Sequence, residues 1–132
     1  MARTRIETGG APRPAGPYSQ AIRSGGFVFL AGQGSKAPDG SLPDTFAGQV
    51  VQMFENLQAV ARAAGCELAD VVQVRVYLRD LGNFTVMNGI YERYFGDPPP
   101  ARTTVQAALP GAGVDVEGDA ILEVPSNPGQ GT

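Results

Sequence analysis

The sequence predicts an α+β domain with two helices packed on one face of a single β-sheet. Three observations point there. Strand-like stretches alternate with two stretches of helical periodicity, the elements run in the order β-β-β-α-β-α-β-β, and neither an internal repeat nor a linker divides the 132 residues. At 42% hydrophobic content the chain suffices for one core and leaves no room for a second. The expected domain spans residues 1–124, and the tail PSNPGQGT (125–132) is expected to be disordered.

From the N-terminus, RTRIET (3–8) suits a first strand, and the glycines and prolines of the following GGAPRPAGP exclude regular structure. YSQAIRS (18–24) and FVFLAGQ (27–33) flank Gly25-Gly26 and predict a hairpin; the run from Phe27 to Ala31 is apolar throughout, as in a strand covered on both faces. In residues 43–65, Phe46, Val50, Phe54, Leu57, Ala61 and Ala64 recur at helical spacing, with Asp44 or Thr45 to cap the start and Gly65 to close the end. VVQVRVYL (71–78) alternates, with Val72, Val74, Val76 and Leu78 on one face and Gln73, Arg75 and Tyr77 on the other, which predicts a strand with one buried face. FTVMNGIYERYFG (84–96) carries a second helical stripe of Phe84, Met87, Tyr91 and Phe95. A proline spacer, the strand RTTVQAAL (102–109), a glycine-rich turn and a last strand VDVEGDAILEV (114–124) complete the chain. Two helices cover one face of such a sheet. Gln73, Thr104, Gln106 and Ile121, expected to face away from the core, are neither strongly charged nor long, so the second face is expected to be buried in a homo-oligomer.

Composition narrows the chemistry. No run approaches the roughly 18 apolar residues of a membrane span, and MARTRIETGG has no apolar signal core, so a soluble, cytoplasmic protein without a membrane partner is expected. Cys66 is the only cysteine and histidine is absent, which removes disulfides, cysteine zinc clusters and the Ser-His and Cys-His nucleophile systems. Proton transfer must then fall to carboxylates, tyrosine, lysine or water. Ten basic against thirteen acidic residues, without a basic cluster, disfavour nucleic acid as a partner. GQGSKAPDG (32–40) lacks the Gly-Lys-Ser/Thr helix entry of a phosphate loop. Cys66, just after the helix-closing Gly65, suits a small buried hydrophobe.

DPPPARTTVQ (97–106) is the most unusual stretch. Each proline fixes its own φ and biases the residue before it toward extended backbone, so Arg102 enters its strand from a stiff approach, either as a solvated charge or as a pre-aimed anion clamp. Glu117, between Asp115 and Asp119, is either part of a solvated acidic edge or a carboxylate that holds water and moves a proton. Tyr18, after Gly16-Pro17, is either a structural tyrosine or one wall of a pocket, and Asn88, on the second helical stripe, is either a tether to backbone or a ligand contact.

GPYSQAI (16–22), AGQ (31–33), residues 56–96 from NLQAV to RYFG, PARTTVQ (100–106) and VEGDAI (116–121) together resemble the reactive intermediate deaminase (RidA) family, also called the YjgF/YER057c/UK114 family. The resemblance implies a chorismate-mutase-like subunit, a single mixed β-sheet with two helices on one face, assembled as a homotrimer with ligand sites in intersubunit clefts. It implies hydrolysis of reactive enamines and imines such as 2-aminoacrylate and 2-iminopropanoate to 2-keto acid and ammonia, with neither metal nor organic cofactor. By that resemblance Arg102 is the carboxylate-binding arginine, Glu117 the water-positioning acid and Tyr18 a further catalytic residue, while Thr104, Asn88, Ala31 and Tyr18 contact the substrate. Three positions depart from the family pattern: Thr104 where cysteine is common, Ala31 where serine is frequent, and Gly118 where a branched residue is more usual. The changes at 104 and 31 are compatible with a larger enamine acid such as a 2-aminomuconate, and the same cleft without turnover would make a small-carboxylate-binding sensor.

Overall fold

The computed structural model describes residues 3–126. Six strands, β1 (Thr4–Ile6), β2 (Ala21–Ser24), β3 (Phe27–Gln33), β4 (Val71–Leu78), β5 (Ala101–Gln106) and β6 (Val116–Glu123), form one sheet in the order β1-β2-β3-β6-β4-β5. All neighbours are antiparallel except β4 and β5, which are parallel. The sheet is therefore mixed, as expected. The last six residues of the tail lie outside the described residues.

Helix α1 (Phe46–Ala63) forms where the periodicity predicts it: the Thr45 side chain accepts the Gly48 N–H at 3.0 Å, and Gly65 leaves the helix with φ +78°, the left-handed turn that glycine takes without a Cβ clash. Its face of Val50, Met53, Phe54, Leu57 and Val60 is buried against Val28, Val74, Val76, Val116 and Leu122 of the sheet. Each such side chain removed from water contributes about 1.5–3 kcal/mol. Helix α2 (Phe84–Tyr91) ends earlier than the predicted 96; Glu92–Tyr94 tighten into turns, yet Tyr94 and Phe95 still pack on Phe54, with Tyr94 stacked at 4.6 Å. Cys66 is buried, and burial first, then the Asp70 charge, pushes its thiol up, as suits a core residue.

Several expectations need correction. The backbone shifts register between Val71 and Gln73, so Val71 is buried and Val72 stands 42% exposed, which breaks the predicted alternation at its first valine. Val28 and Leu30 of β3 are buried, but Phe27 and Phe29 lie open at 41% and 45%. The strand is covered on one face within the chain, because both helices sit on the other side of the sheet from Phe27 and Phe29. Thr104 and Gln106 pair with Val76 and Leu78, so they lie on the helix side; Gln73 and Ile121 do face away. At Gly118, a Cβ would lie 3.0 Å from Met53 Sδ, so Met53 occupies the space of a side chain at 118.

Three buried amides pin the irregular segments. Gln20, held just outside β2, accepts the Thr8 N–H at 2.7 Å and donates to the Thr8 and Pro12 carbonyls, which is why residues 18–20 leave the predicted strand. Asn56 donates to the carbonyls of Gly34 (3.1 Å) and Lys36 (2.8 Å). Gln49 accepts from Ser35 Oγ and the Asp115 N–H and donates to the Gly113 carbonyl. All three amides would carry a desolvation cost if unpaired. Paired, they fix the loops around one end of the open face.

Candidate active site

Two groups of residues stand out, one on each face of the sheet. On the helix side, the parallel register sets Arg102 beside Val74 on edge strand β5, and the Arg102 guanidinium carbon lies 4.6 Å from the Tyr91 ring centroid and 5.5 Å from that of Phe84. Phe84, Asn88 and Tyr91 are spaced i, i+4, i+7 on α2 and share the face that meets this strand. The cation is thus held against two aromatic rings, an attraction that limits where the guanidinium can lie. Three buried oxygens here, Asn88 Oδ1, Tyr91 Oη and Thr104 Oγ1, have no hydrogen-bond partner. An orphaned buried polar atom costs about 1–3 kcal/mol, so a hydrogen-bonding partner at these three oxygens would be stabilising. Burial pushes the Tyr91 phenol up, and the nearby Arg102 charge opposes that shift, so the phenol stays a neutral donor.

On the open face, Glu117 pairs in register with Tyr77. Its acidic neighbours are engaged: Asp119 accepts from Arg75 Nε at 2.8 Å and from the Tyr77 hydroxyl at 3.0 Å, and Asp115 lies 3.5 Å from Arg79. Glu117 alone of the three has no hydrogen bond or ion pair among the described residues. Burial first, then the Asp119 charge, raises its carboxyl above the usual carboxylate range. It opens onto a pocket of about 240 Å³ that Tyr18, Gly32 and Val114 also line. Tyr18 is 50% exposed; its oxygen accepts the Ala15 N–H at 3.2 Å, which leaves the phenolic proton free to donate into the pocket.

Ala31 is not in the pocket wall. Its N–H donates to the Gln20 carbonyl, and the neighbouring Gly32 is the wall residue. A Cβ at 32 would lie 2.9 Å from Glu117 Oε2 and 3.1 Å from its Cδ, so only glycine lets the carboxyl rest where it does. Gly32→Ala is therefore expected to displace Glu117 and lower turnover about 10-fold with the fold retained, measured as kcat/KM beside circular dichroism. Turnover equal to wild type would show that the Glu117 position is not critical.

Within one chain the structure thus joins Arg102, Thr104 and Asn88, and separately Glu117 and Tyr18, and it holds the two groups on opposite faces of the sheet. Sequence reading missed Tyr91 and Phe84 as the arginine platform, Gly32, and the three buried amides. Gln49 and Asn56 did carry a signal: polar residues at i, i+7 on an otherwise apolar helical stripe.

The family model described as Endoribonuclease L-PSP matches residues 8–124. The chain belongs to the RidA/YjgF/YER057c/UK114 family. A RutC family protein of Pyrococcus abyssi is 42% identical over 123 residues, covering 92% of this chain and 97% of the relative. Protein DfrA of Myxococcus xanthus is 42% identical over 127 residues, covering 92% and 95%. The crystal structure of RidA from an Antarctic Psychrobacter superposes with a TM-score of 0.88 at 41% identity, covering 92% of this chain and 99% of that one. RidA-family membership makes this a chain of a hydrolase and deaminase family. No helix of the described residues is long and apolar enough to cross a membrane.

Proposed function

We propose that this protein is an enamine and imine deaminase that hydrolyses 2-aminoacrylate and 2-iminopropanoate to the 2-keto acid and ammonia, at sites completed between copies of a homotrimer. The observation that carries this reading is the division of the candidate residues into an anion-binding half around Arg102 and an acid half around Glu117, on opposite faces of one sheet. Neither half suffices alone, and a second copy brings the missing half. The helix-free face, where Phe27 and Phe29 stand 41% and 45% exposed side by side on β3 and Val105 lies exposed on β5, has the apolar character of a surface that buries itself against copies.

The guanidinium of Arg102 matches a planar carboxylate with two parallel charge-assisted hydrogen bonds. Asn88 Oδ1 can accept only a donor, such as an imine N–H, while the hydroxyls of Tyr91 and Thr104 can do either. Water attacks the imine carbon: Glu117 accepts one of its protons as the C–O bond forms, and the nitrogen gains that proton. The carbinolamine then passes its hydroxyl proton to nitrogen through the same carboxyl, the C–N bond breaks, and keto acid and ammonia leave. A raised Glu117 pKa suits a group that must both take and return a proton. An enamine such as 2-aminoacrylate enters by moving a proton from nitrogen to carbon.

Generating the imine in situ and trapping the remainder with semicarbazide tests turnover; wild type is expected to suppress the semicarbazone. Binding of 2-keto acids without suppression would replace the enzyme reading with a carboxylate sensor. The shared site has its own test. Arg102→Ala and Glu117→Gln are each expected to be nearly inactive, and random assembly of an equal mixture restores about a quarter of wild-type activity, since half the copies supply each intact half. No recovery in mixtures that have exchanged subunits would put both halves on one chain. A sedimenting species of 13.7 kDa alone would remove the trimer.

A further inference from the structure

The open-face pocket holds more than the reaction needs. Besides Tyr18, Gly32, Val114 and Glu117, its walls include two cations, Arg13 and Lys36, and neither has a carboxylate within 4 Å among the described residues. Arg3, Arg23, Arg93 and Arg102 also lie outside any ion pair among the described residues, so what sets Arg13 and Lys36 apart is the single pocket they share. The segments that carry Arg13 and Lys36 are not free loops. Gln20, 2% exposed, ties down the stretch from Thr8 to Pro12 by accepting the Thr8 N–H and donating to the Thr8 and Pro12 carbonyls, and Arg13 follows directly with a proline on either side. Asn56, fully buried in α1, holds the carbonyl of Lys36 itself. Two cationic side chains are thus presented to one pocket from backbone that core amides have already ordered, so little further backbone ordering is lost when they grip an anion.

Glu117 is the one acidic side chain in that wall, and Arg13 and Lys36 outnumber it. The pocket, about 240 Å³, is larger than the methyl side chain of 2-iminopropanoate fills. We infer that Arg13 and Lys36 form a second anion subsite and that the preferred substrates are 2-imino acids whose side chain ends in a second carboxylate. This inference rests on the deaminase reading above: Arg102 of one copy takes the α-carboxylate, Glu117 of the next faces the imine carbon, and the side chain runs toward Arg13 and Lys36. Hydrolysis is unchanged, one water giving a 2-oxo dicarboxylate and ammonia.

Binding of the product-type acids tests the subsite apart from turnover. Calorimetry compares 2-oxobutyrate, 2-oxoglutarate and its neutral-ended analogue 2-oxoglutaramate on the assembled wild type, on Arg13→Ser/Lys36→Ser and on Lys36→Glu. A second charge met by two solvent-exposed cations converging on one pocket is expected to make 2-oxoglutarate bind about 3- to 10-fold tighter than 2-oxoglutaramate on wild type. The ratio should fall near one in the double variant and below one in Lys36→Glu. Both positions are exposed, so the variants should fold as wild type does. Equal binding of the two acids by wild type, or a preference that survives in the double variant, overturns the subsite. In parallel, turnover of 2-iminopropanoate and 2-iminoglutarate is compared. Turnover of both without preference sinks the subsite and leaves the deaminase standing. A dicarboxylate preference in binding with turnover of neither supports the subsite and removes the deaminase.

Discussion

Glu117→Gln is expected to lower kcat/KM for imine hydrolysis by about 10²- to 10⁴-fold while 2-keto acids still bind. The amide keeps the shape of the side chain and can still touch water, but it cannot accept a proton and return it. The position is specific: Asp115 and Asp119 are paired to Arg79 and Arg75, and the chain has no histidine to take over. A pH profile adds an independent mark. Glu117 works as a base only when ionised, and burial together with Asp119 raises its pKa, so wild-type activity should fall on acidification at a pH above the usual carboxylate range. That limb should be missing from the residual activity of Glu117→Gln. Equal loss of turnover and of keto acid binding would instead make Glu117 a structural residue.

Arg102→Lys, formally conservative, is expected to cost about 2–4 kcal/mol of transition-state stabilisation, a 30- to 1,000-fold drop in kcat/KM. Lysine keeps the charge and loses the planar fork, so one of two charge-assisted hydrogen bonds to the carboxylate disappears and with it the orientation of the imine carbon. It also replaces the guanidinium's cation–π contacts with Tyr91 and Phe84 by those of a smaller, more strongly hydrated ammonium. Arg102→Ala should be no more active, and both variants should stay folded, with at most a small loss of thermal stability from the contacts with Tyr91 and Phe84, because Arg102 lies on an edge strand and is not itself a core residue. Wild-type activity in either variant would end the clamp assignment, and the prolines before Arg102 would then serve only to end a helix.

Helix α1, with its Thr45 cap and Gly65 exit, could be read directly, because an amphipathic period and its stop signals are local. So could the order of strands and helices, the exclusion of histidine chemistry by composition, and the candidacy of Tyr18, Arg102 and Glu117. The face on which each candidate lies could not. Residues 101–106, ARTTVQ, have no clean apolar alternation, and in a strand of period two a shift of one residue moves every side chain to the other side. Only parallel pairing with β4, Arg102 against Val74, turns Arg102 and Thr104 toward the helices, while antiparallel pairing of β6 with β4, Glu117 against Tyr77, turns Glu117 away from them. The space Gly32 leaves for Glu117 and the amides that hold Arg13 and Lys36 in place likewise join residues far apart in the chain. Local pattern determined the elements and the candidate residues of this protein; pairing register, a property of two strands at once, decided that those candidates lie on opposite faces of the sheet.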